Sequence, residues 1–577
     1  MKKWKKATIV VIVLLVALSA TAATKGPDWL KKAVFYQIYP SSYKDSNGDG
    51  IGDIPGIISK LDYIQSIGVN AIWLNPLFES GWYDGGYDVI DFYKVDPRFG
   101  TNTDLVRLIE EAHQRGIKVC LDLVAGHTSD RSVWFKQSME ADANLQYSDY
   151  YIWTNEITAK DKKDLDRRSK ESNPAESRIG KWIEANAPRA KYYERNYYAC
   201  QPALNYGYAN PDPKCPWQQN VDAPGPRATR QELKNIITFW FDKGIDGFRV
   251  DMAASLIKND KTKEKTQELW REVRSWVDAN YPEKVLISEW SYPYQAIPAG
   301  FHIDFMMHFG EKGYPSLFFS DYTHWGKRNK YVDCYFDKKG KGCIEEFINN
   351  YQRNYDATKE LGYIALPSGN HDYVRLHAGT RNSVEQLKVA MCFLLTMPGI
   401  PFIYYGDEIG MKYQKGLTPK EGSKERSGSR TPMQWKDNAT AGFSTCSPEQ
   451  LYFPVDTEDG KWCVAAEEKD PHSLLNYVRS LLAIRQQSTA MGNDGEWKLI
   501  SHVEHPYPMV YKRTLEDETY IVALNPSERT VKATVEKQGF NKVTIISASG
   551  KGSYKSSKEN DKVMLKPISA VIFKLEQ

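Results

Sequence analysis

The sequence has almost no excess of charge of either sign: 76 Lys and Arg residues stand against 73 Asp and Glu, a formal net charge of +3. It therefore lacks the basic footprint of a nucleic-acid-binding protein. It also lacks repeats, and beyond its N-terminal segment it has no apolar run long enough to cross a membrane. The hydrophobic (41%) and charged (26%) fractions exclude a disordered or polytopic membrane chain, and 577 residues suffice for a large barrel with attached domains.

The N-terminal residues 1–22 have the pattern of a secretory signal peptide. Four early lysines precede an apolar run over 7–20, and small residues follow up to Ala22. The run is short for a spanning helix, which needs about 20 residues, so an uncleaved anchor is the weaker alternative. We expect cleavage after Ala22 and an exported protein, periplasmic or secreted, without stable membrane insertion.

The eight cysteines lack the CxxC or Cys/His spacing of a metal site. Six of them form three closely spaced pairs in polar, loop-like stretches, which in an exported protein favours local disulfides. The pairs are Cys200 and Cys215, Cys334 and Cys343, and Cys446 and Cys463. Cys120 and Cys392 lie in apolar segments and are predicted to be buried thiols.

Short apolar runs alternate with amphipathic stretches over most of the chain, which is typical of βα units. The eight predicted strands are 33–39, 71–75, 118–124, 247–251, 285–289, 303–309, 363–368 and 401–406. The predicted helices are 55–67, 103–115, 230–243, 262–280 and 384–396. The pattern predicts an α/β fold, a closed (β/α)8 barrel, with its chemistry at the C-terminal ends of the strands.

Two segments depart from the βα pattern. Residues 128–225 are polar and too long for a loop, which predicts a small inserted domain after the third strand. This insert divides the barrel into a first part, 28–127, and a second part, 226–485. Short alternating runs over 490–577 predict a C-terminal antiparallel β-sandwich.

Acidic residues stand at or near the ends of several predicted strands: Asp122, Asp251, Glu289 and, after the seventh strand, Asp372. One strand-terminal acid is usually a surface or capping residue. Four carboxylates at one rim raise one another's pKa values and destabilise the fold. Such a cost indicates that the carboxylates have a function.

Retaining glycoside cleavage needs two carboxyl groups about 5–5.5 Å apart, which consecutive barrel strands can supply. Asp251 and Glu289 are the predicted pair. Arg249 lies two positions from Asp251 and is expected to hold it ionised as a nucleophile. Trp290 adjoins Glu289, and an apolar setting would keep that carboxyl protonated as the acid.

The loop DSNGDGIGD (45–53) offers oxygen ligands at alternate positions, which is a pattern suited to a structural Ca²⁺. The candidate ligands are Asp45, Asn47, Asp49, the carbonyl of Ile51, and Asp53. Gly56 stands where an EF-hand would place its bidentate Glu, and a plain Asn/Gly turn is the alternative. Catalysis of glycoside cleavage needs no metal.

Four motifs carry a resemblance. DLVAGH (122–127), GFRVD (247–251), SEW (288–290) and GNHD (369–372) resemble the sequence regions of the α-amylase family of glycoside hydrolases, family 13. The resemblance spans the chain from about residue 30 onward. It implies a retaining enzyme for α-glucosidic bonds, with Asp251 as nucleophile, Glu289 as acid/base and Asp372 stabilising the transition state. It also implies that His127, Arg249 and His371 hold the substrate and the carboxylates.

Two further segments, GGYDVIDF (85–92) and RTPMQW (430–435), are similar to the α-glucosidase, oligo-1,6-glucosidase and trehalose synthase branch. That similarity implies that Tyr87 stacks on the first sugar and that Asp88 and Arg430 clamp it. Such a clamp would close the pocket and restrict attack to non-reducing chain ends. In the same branch a loop like 45–53 holds a structural calcium.

Three departures from the family pattern leave linkage preference open. Gly126 replaces the usual Asn before the histidine, so one polar contact near His127 is missing or is supplied elsewhere. In QPALNY (201–206), Ala203 replaces the Asp of the similar segment QPDLN of the oligo-1,6-glucosidase group. Met252 follows the nucleophile, where this branch often has the Val or Ala that accompanies a linkage preference.

The function expected from the sequence is exo-cleavage of malto- or isomalto-oligosaccharides or α-glucans. The alternatives are an endo-acting α-amylase or neopullulanase, a trehalose-synthase-like transglycosylase and, outside the enzymes, a catalytically silent carbohydrate-binding or transporter-accessory protein. The sequence does not indicate an oligomeric state.

Overall fold

The structure is a computed structural model that describes residues 25–319, 323–324, 327–328, 333–422, 426–456 and 462–577. The predicted signal peptide, 1–22, lies outside the described residues. Within the described ranges, no helix has both the length and the hydropathy that crossing a bilayer requires.

Eight parallel strands form a closed barrel, each hydrogen-bonded to its neighbours in chain order and the last to the first. The strands are β1 (Phe35–Ile38), β2 (Ala71–Leu74), β3 (Lys118–Leu123), β4 (Gly247–Val250), β5 (Val285–Ser288), β6 (Ile303–Phe305), β7 (Tyr363–Pro367) and β8 (Ile400–Tyr404). Nearly every strand residue is buried, because side chains fill the barrel on one face and helices cover the other. All eight predicted strands and the (β/α)8 class are confirmed.

The register of the barrel brings the acidic strand ends together. Asp122 on β3 pairs with Arg249 on β4, and Val250 at the end of β4 pairs with Ser288 at the end of β5. Asp251 and Glu289 are the next residues of their strands, so they leave the barrel side by side at its C-terminal rim.

Helices cover the outside of the barrel. Their bounds are Ile54–Ile58, Leu61–Ile67, Asn102–Gln114, Pro224–Phe241, Glu264–Asn280, Pro293–Ala296, Tyr314–Phe318, Glu345–Thr358, Val384–Thr396, Val464–Glu467 and Leu474–Gln487. The helix predicted over 55–67 is two helices, because the chain leaves helical geometry at Lys60 (φ −117°, ψ 5°). The helix predicted from residue 230 begins earlier, at Pro224, whose fixed φ suits the first helical turn.

The predicted insert, 128–225, contains two helices, Val133–Met139 and Ala159–Arg168, and a three-stranded sheet of Trp153–Thr154, Trp182–Glu184 and Tyr192–Glu194. A single bridge between His127 and Ala203 ties it to the chain just after β3. Two two-stranded hairpins also precede the C-terminal region, Phe78–Ser80 with Val89–Val95 and Thr323–His324 with Lys327–Arg328. The domain boundaries themselves stay predictions.

The C-terminal region contains two antiparallel sheets. The larger contains Glu496–Leu499, Met509–Leu515, Glu518–Asn525, Lys542–Ser549 and Ser569–Glu576, and the smaller Val531–Glu536, Gly552–Ser556 and Asn560–Leu565. Alternate residues of the larger sheet face opposite sides. Tyr511 and Val522 join the core of the barrel, whereas Val510 and Ile521 pack against Val563 of the smaller sheet.

The cysteine prediction needs a correction. All eight cysteines are free thiols, so none of the three predicted disulfides is present. Each predicted pair joins a buried cysteine to one nearer the surface, so proximity along the chain does not place the two sulfurs in one environment. The buried members are Cys200, Cys334 and Cys463, and their predicted partners are Cys215, Cys343 and Cys446. Cys120 and Cys392 are buried thiols, as predicted.

Candidate active site

The guanidinium of Arg249 is the centre of the site. It is 1% exposed and contacts three carboxylates at once. Its Nη1 donates to Asp122 at 2.8 Å and to Asp251 at 3.0 Å, and its Nη2 lies 2.8 Å from a Glu289 oxygen. The other Glu289 oxygen accepts the backbone N–H of Met252 at 2.9 Å. One cation therefore fixes the positions of the two residues predicted to cleave the bond.

The two carboxylates of the predicted pair have different pKa values. Burial raises the pKa of Asp251 to about 6, although the charge of Arg249 and a hydrogen bond with Glu289 act to lower it. Burial raises the pKa of Glu289 to about 8, helped by the charge of Asp251 and opposed by that of Arg249. At neutral pH Asp251 is therefore ionised and Glu289 protonated, as the sequence predicted. Burial, rather than Trp290 alone, is the main cause.

A buried network behind this pair fixes the ring of His371. Tyr87 donates its hydroxyl proton to Asp122 at 2.9 Å, so the tyrosine oxygen accepts from Nε2 of His371 at 2.8 Å. Nδ1 of the histidine then accepts from Gln37 at 3.0 Å and from Asn75 at 3.1 Å. The rings of Tyr87 and His371 are stacked, and burial lowers the pKa of His371 far below its ordinary value. The histidine is therefore neutral.

Asp372 is the third predicted carboxylate. One of its oxygens receives Arg426 at 2.8 Å and Arg430 at 3.2 Å. Burial alone would raise its pKa, but the charges of Arg426 and Arg430 and the hydrogen bond from Arg426 hold the pKa well below the ordinary value. Asp372 is therefore a permanent anion at the site.

These residues open onto a cavity of about 460 Å³ at the C-terminal rim of the barrel. Its lining combines carboxylates with aromatic rings, the composition of a pocket that packs sugar faces and bonds their hydroxyls. The lining residues that bear on function are Asp84, Tyr87, His127, Tyr197, Asp251, Met252, Glu289, Trp290, Phe309, Asp372 and Arg426.

The structure does not place the two predicted clamp residues in the cavity. Asp88 and Arg430 are fully buried and absent from the cavity lining. Asp88 accepts the backbone N–H groups of Tyr83 and Asp84 at 3.1 Å and thereby closes the turn that presents Asp84. The carboxylate that does line the cavity is Asp84, which pairs with Arg426 at 2.8 Å. Arg430 instead binds the carbonyl of His371 at 2.9 Å, behind the cavity wall.

Sequence reasoning missed Asp84 and Arg426 because each segment offers two candidates four residues apart. Asp84 and Asp88 flank one turn, whereas Arg426 begins a short 3-10 helix (Arg426–Ser429) and Arg430 directly follows it. The insert adds a further residue, Gln201, whose amide donates to Asp84 at 2.9 Å. No motif signals this contact, because it joins parts of the chain that are distant in sequence.

His127 lines the cavity, as expected of a substrate-holding residue. Its Nε2 lies 3.0 Å from the carbonyl oxygen of Tyr87, and its Nδ1 lies 2.8 Å from the amide nitrogen of Asn196 in the insert. The contact that Gly126 cannot make is thus supplied from elsewhere in the chain.

The predicted calcium loop closes on itself. Asp45 accepts the backbone N–H groups of Asn47, Gly48 and Gly50 at 2.7–3.0 Å. Asn47 accepts from Asp49, and Asp49 accepts from Ile51. Asp53 accepts the N–H of Gly56 at the start of the next helix. These are the bonds of an Asn/Gly turn, and the described part of the chain contains no group of three or more His, Cys, Asp or Glu placed to hold a metal.

Comparison with known proteins matches the chain to one family. The sequence model of the α-amylase catalytic domain matches residues 37–494. The chain is 32% identical over 575 residues to α-amylase 3 of Dictyoglomus thermophilum, covering 99% of this chain and 98% of the relative. It is 30% identical over 607 residues to an oligo-1,6-glucosidase of Heyndrickxia coagulans (95% and 100% covered) and 32% identical over 512 residues to the trehalose synthase/amylase TreS of Mycobacterium tuberculosis (82% and 77%).

Among solved structures, an isomaltulose synthase mutant of Erwinia rhapontici in complex with sucrose is similar, with a TM-score of 0.76 and 26% identity, over 96% of this chain and all of that one. The match of the family model to most of the chain agrees with the closed barrel and with the carboxylates at its rim. The chain therefore belongs to the α-amylase family of glycoside hydrolases, in the branch of α-glucosidases, oligo-1,6-glucosidases and trehalose synthases, and is an enzyme that acts on glucosidic bonds.

Proposed function

We propose that the protein is an exported, retaining hydrolase that removes glucose from the non-reducing ends of malto- and isomalto-oligosaccharides or related α-glucans. The observation that carries this proposal is that Asp251 and Glu289 share Arg249 beside a cavity lined by the Asp84–Arg426 ion pair. The shared cation supports cleavage by two closely spaced carboxyl groups. The ion pair supports attack on a terminal sugar.

The proposed reaction is a double displacement. The ionised Asp251 attacks the anomeric carbon while Glu289 gives its proton to the leaving oxygen, which forms a covalent glucosyl-enzyme. Glu289, now a base, takes a proton from water, and the water oxygen displaces Asp251 at the same carbon. Because the carbon is inverted twice, glucose leaves with its original configuration. The higher pKa of Glu289 suits its role as the acid.

Asp372 supports the step in which positive charge develops on the sugar ring. Arg426 and Arg430 keep this carboxylate ionised. A fixed anion stabilises an oxocarbenium-like transition state more than it stabilises the neutral substrate.

The closed end of the pocket supports exo action. Asp84 is bonded to Arg426 and to Gln201 of the insert, and Arg426 also holds Asp372. A glucan chain extending past this point would have to separate a buried ion pair. We therefore assign Asp84 and Arg426 to the hydroxyls of the terminal sugar, far from the scissile bond.

The initial products from maltose, isomaltose, trehalose, maltoheptaose and pullulan test this proposal. We expect glucose alone from chain ends, with α-configuration retained in the first minutes by NMR. Oligosaccharides of mixed length from maltoheptaose would instead establish the endo-acting α-amylase or neopullulanase alternative. The relative named α-amylase 3 is the reason to keep that alternative in the test.

A second candidate is transfer of the glucosyl group to a sugar rather than to water. It is favoured by the similarity to a trehalose synthase/amylase and to an isomaltulose synthase bound to sucrose. The same experiment, with sucrose added to the substrates, separates it from hydrolysis, since a transferase converts maltose or sucrose into an isomeric disaccharide with little free glucose.

We also propose that the loop 45–53 binds a structural Ca²⁺ through Asp45, Asn47, Asp49, Ile51 and Asp53. The support is the density of oxygen ligands: the nine residues 45–53 carry three carboxylates and one side-chain amide, with Lys44 as a neighbouring cation. Melting in Ca²⁺ against EGTA tests it, with Mg²⁺ as control. A rise in Tm that Asp49→Asn abolishes is expected, and an unchanged Tm at millimolar Ca²⁺ would leave a plain turn.

Export is proposed on the leader pattern of residues 1–22 alone. N-terminal sequencing of the protein purified from its natural host tests it. A first residue of Ala23 is expected, and a chain that still begins at Met1 would contradict it.

A further inference from the structure

The backbone conformation at position 126 does not require a glycine, although Gly126 stands there. Its φ lies outside the left-handed region, where glycine is favoured, so any L-residue could adopt its conformation. The constraint is spatial. A Cβ at position 126 would lie 2.7 Å from the amide nitrogen of Asn196, a distance that real Cβ atoms essentially never show.

Asn196 occupies that space with a fixed orientation. Its backbone N–H donates to the carbonyl of Gln201 at 2.8 Å, and its own carbonyl accepts from Arg195 at 3.1 Å. Its side-chain nitrogen can then reach Nδ1 of His127 at 2.8 Å. The side-chain amide of Asn196, a residue of the insert, therefore lies beside His127 at the rim of the barrel.

The protonation of His127 follows from its two partners. A carbonyl oxygen only accepts, so the contact with Tyr87 places the proton on Nε2. Burial lowers the pKa of His127 to about 3, so the ring is neutral and Nδ1 is an acceptor. The Asn196 amide is a donor and matches it. The pair of contacts fixes both the plane of the ring and its tautomer.

We propose that Asn196 is a positioning residue for His127 and that residue 126 is glycine in order to admit it. The polar contact near His127 that the resemblance leads us to expect from an Asn at position 126 is here made by Asn196 of the insert. The kinetic part of this inference rests on the proposed hydrolase function. The structural part, that Asn196 fixes the ring of His127 in the space left by Gly126, does not depend on that function.

A double-mutant cycle tests the proposal. We expect Gly126→Ala to lower Tm by a few degrees and kcat/KM on an aryl α-glucoside by up to about 100-fold, because it displaces Asn196 and misplaces His127. In the Asn196→Ala background the same Gly126→Ala change should have almost no further effect. Equal costs in both backgrounds would overturn the proposal. Asn144→Ala, which makes the same change at an exposed position of the insert, is the control and should leave both quantities unchanged.

A spectroscopic readout keeps the test independent of activity. In ¹⁵N-histidine-labelled protein, the signal that disappears in His127→Gln should be that of a neutral ring protonated on Nε2. It should shift in Asn196→Ala and not in Asn144→Ala. A ring protonated on Nδ1, or a signal insensitive to Asn196→Ala, would overturn the positioning role even in a fully active hydrolase. Absence of glucoside cleavage by the wild type, with the expected signals present, would reject the proposed function alone.

Discussion

Asp84 and Arg426 form an ion pair at 2.8 Å, with both side chains almost completely buried where they line the cavity. Without the Asp84 charge, Arg426 keeps only its pair with Asp372, at 2.8 Å. Removing one partner of a fully buried pair typically costs about 3–5 kcal/mol, which is the upper limit here. If the pair binds the terminal sugar, Asp84→Asn should lower kcat/KM on maltose by at least about 100-fold. It should also raise the share of internal cleavage of maltoheptaose, measured by chromatography of the first products.

Asp88→Asn is the matched control for the clamp. Asp88 lies four residues from Asp84 and is fully buried, and it accepts from the N–H groups of Tyr83 and Asp84 and from the Ser80 hydroxyl rather than facing the cavity. We expect this variant to lower Tm and to retain the wild-type preference for chain ends. A loss of chain-end preference in Asp88→Asn, with Asp84→Asn unaffected, would restore the clamp that the sequence first suggested.

Removal of each reacting carboxylate should have a distinct signature. Asp251→Asn removes the nucleophile and should lower kcat by about 10⁴–10⁶-fold on every substrate, the range seen when the reacting group of another hydrolase is deleted. Glu289→Gln removes the acid and should cost about 10²–10⁴-fold on maltose. It should cost less on 4-nitrophenyl α-glucoside, whose leaving group needs no proton. Equal losses on the two substrates in Glu289→Gln would contradict its role as acid.

The pH profile should be bell-shaped. Activity needs Asp251 ionised and Glu289 protonated, and the pKa values are raised to about 6 and about 8 respectively. We therefore expect kcat/KM to fall below about pH 6 and above about pH 8. Because the two groups share Arg249, the limbs belong to the pair rather than to single residues. An alkaline limb that persists unchanged in Glu289→Gln would be inconsistent with this assignment.

A buried carboxylate at the opposite end of the barrel should make stability depend on pH. Asp246 is 2% exposed and contacts His113 at 2.6 Å and Lys118 at 3.1 Å. Burial would raise its pKa, but the His113 hydrogen bond, the Val119 N–H and the charge of Lys284 lower it overall, below 3.8. A depressed folded-state pKa stabilises the protein above the unfolded pKa, and this stabilisation is lost as pH falls through the folded value.

Asp246→Asn should therefore lower Tm at pH 7, because the free energy of unfolding should fall by about 3–5 kcal/mol. The difference from the wild type should shrink as pH falls below about 4. Asp62→Asn is the control, because its side chain is 85% exposed in its pair with Arg115 and such pairs contribute about 0–1 kcal/mol. A Tm difference for Asp246→Asn that does not vary with pH would show that the charge is not its cause.

The number of free thiols in the protein distinguishes the structure, which has no disulfide among its eight cysteines, from the three disulfides predicted from the sequence. The structure predicts eight reactive thiols in the unreduced, denatured protein. Three disulfides would leave 8 − 6 = 2, namely Cys120 and Cys392. Titration with a thiol reagent in guanidinium measures this directly, and the reduced protein, which must give eight, calibrates it.

The barrel could be predicted from the sequence because its signals are local. Each strand is a short apolar run followed by an amphipathic stretch, and burial on both faces leaves little room for another interpretation. The catalytic rim followed from the same pattern, since the acids stand where strands end. Arg249 was identified by its two-residue spacing from Asp251.

The clamp could not be placed in the same way. Whether Asp84 or Asp88 faces the cavity depends on a turn in which Gly85 and Gly86 have φ values of 59° and 97°. Periodicity carries no information about such a turn. Asn196 and Gln201 were missed because their partners lie far away in sequence, and only folding of the insert brings them to the rim.

The central strands of the larger C-terminal sheet are covered on both faces: Tyr511 and Val522 pack into the barrel core, and Val510 and Ile521 into the smaller sheet. Truncation after the last barrel helix would uncover an apolar surface that the barrel helices cannot hide by themselves. Such a fragment should aggregate during expression instead of folding as a minimal enzyme. Engineering that shortens this chain would have to redesign the barrel surface under the sheet first.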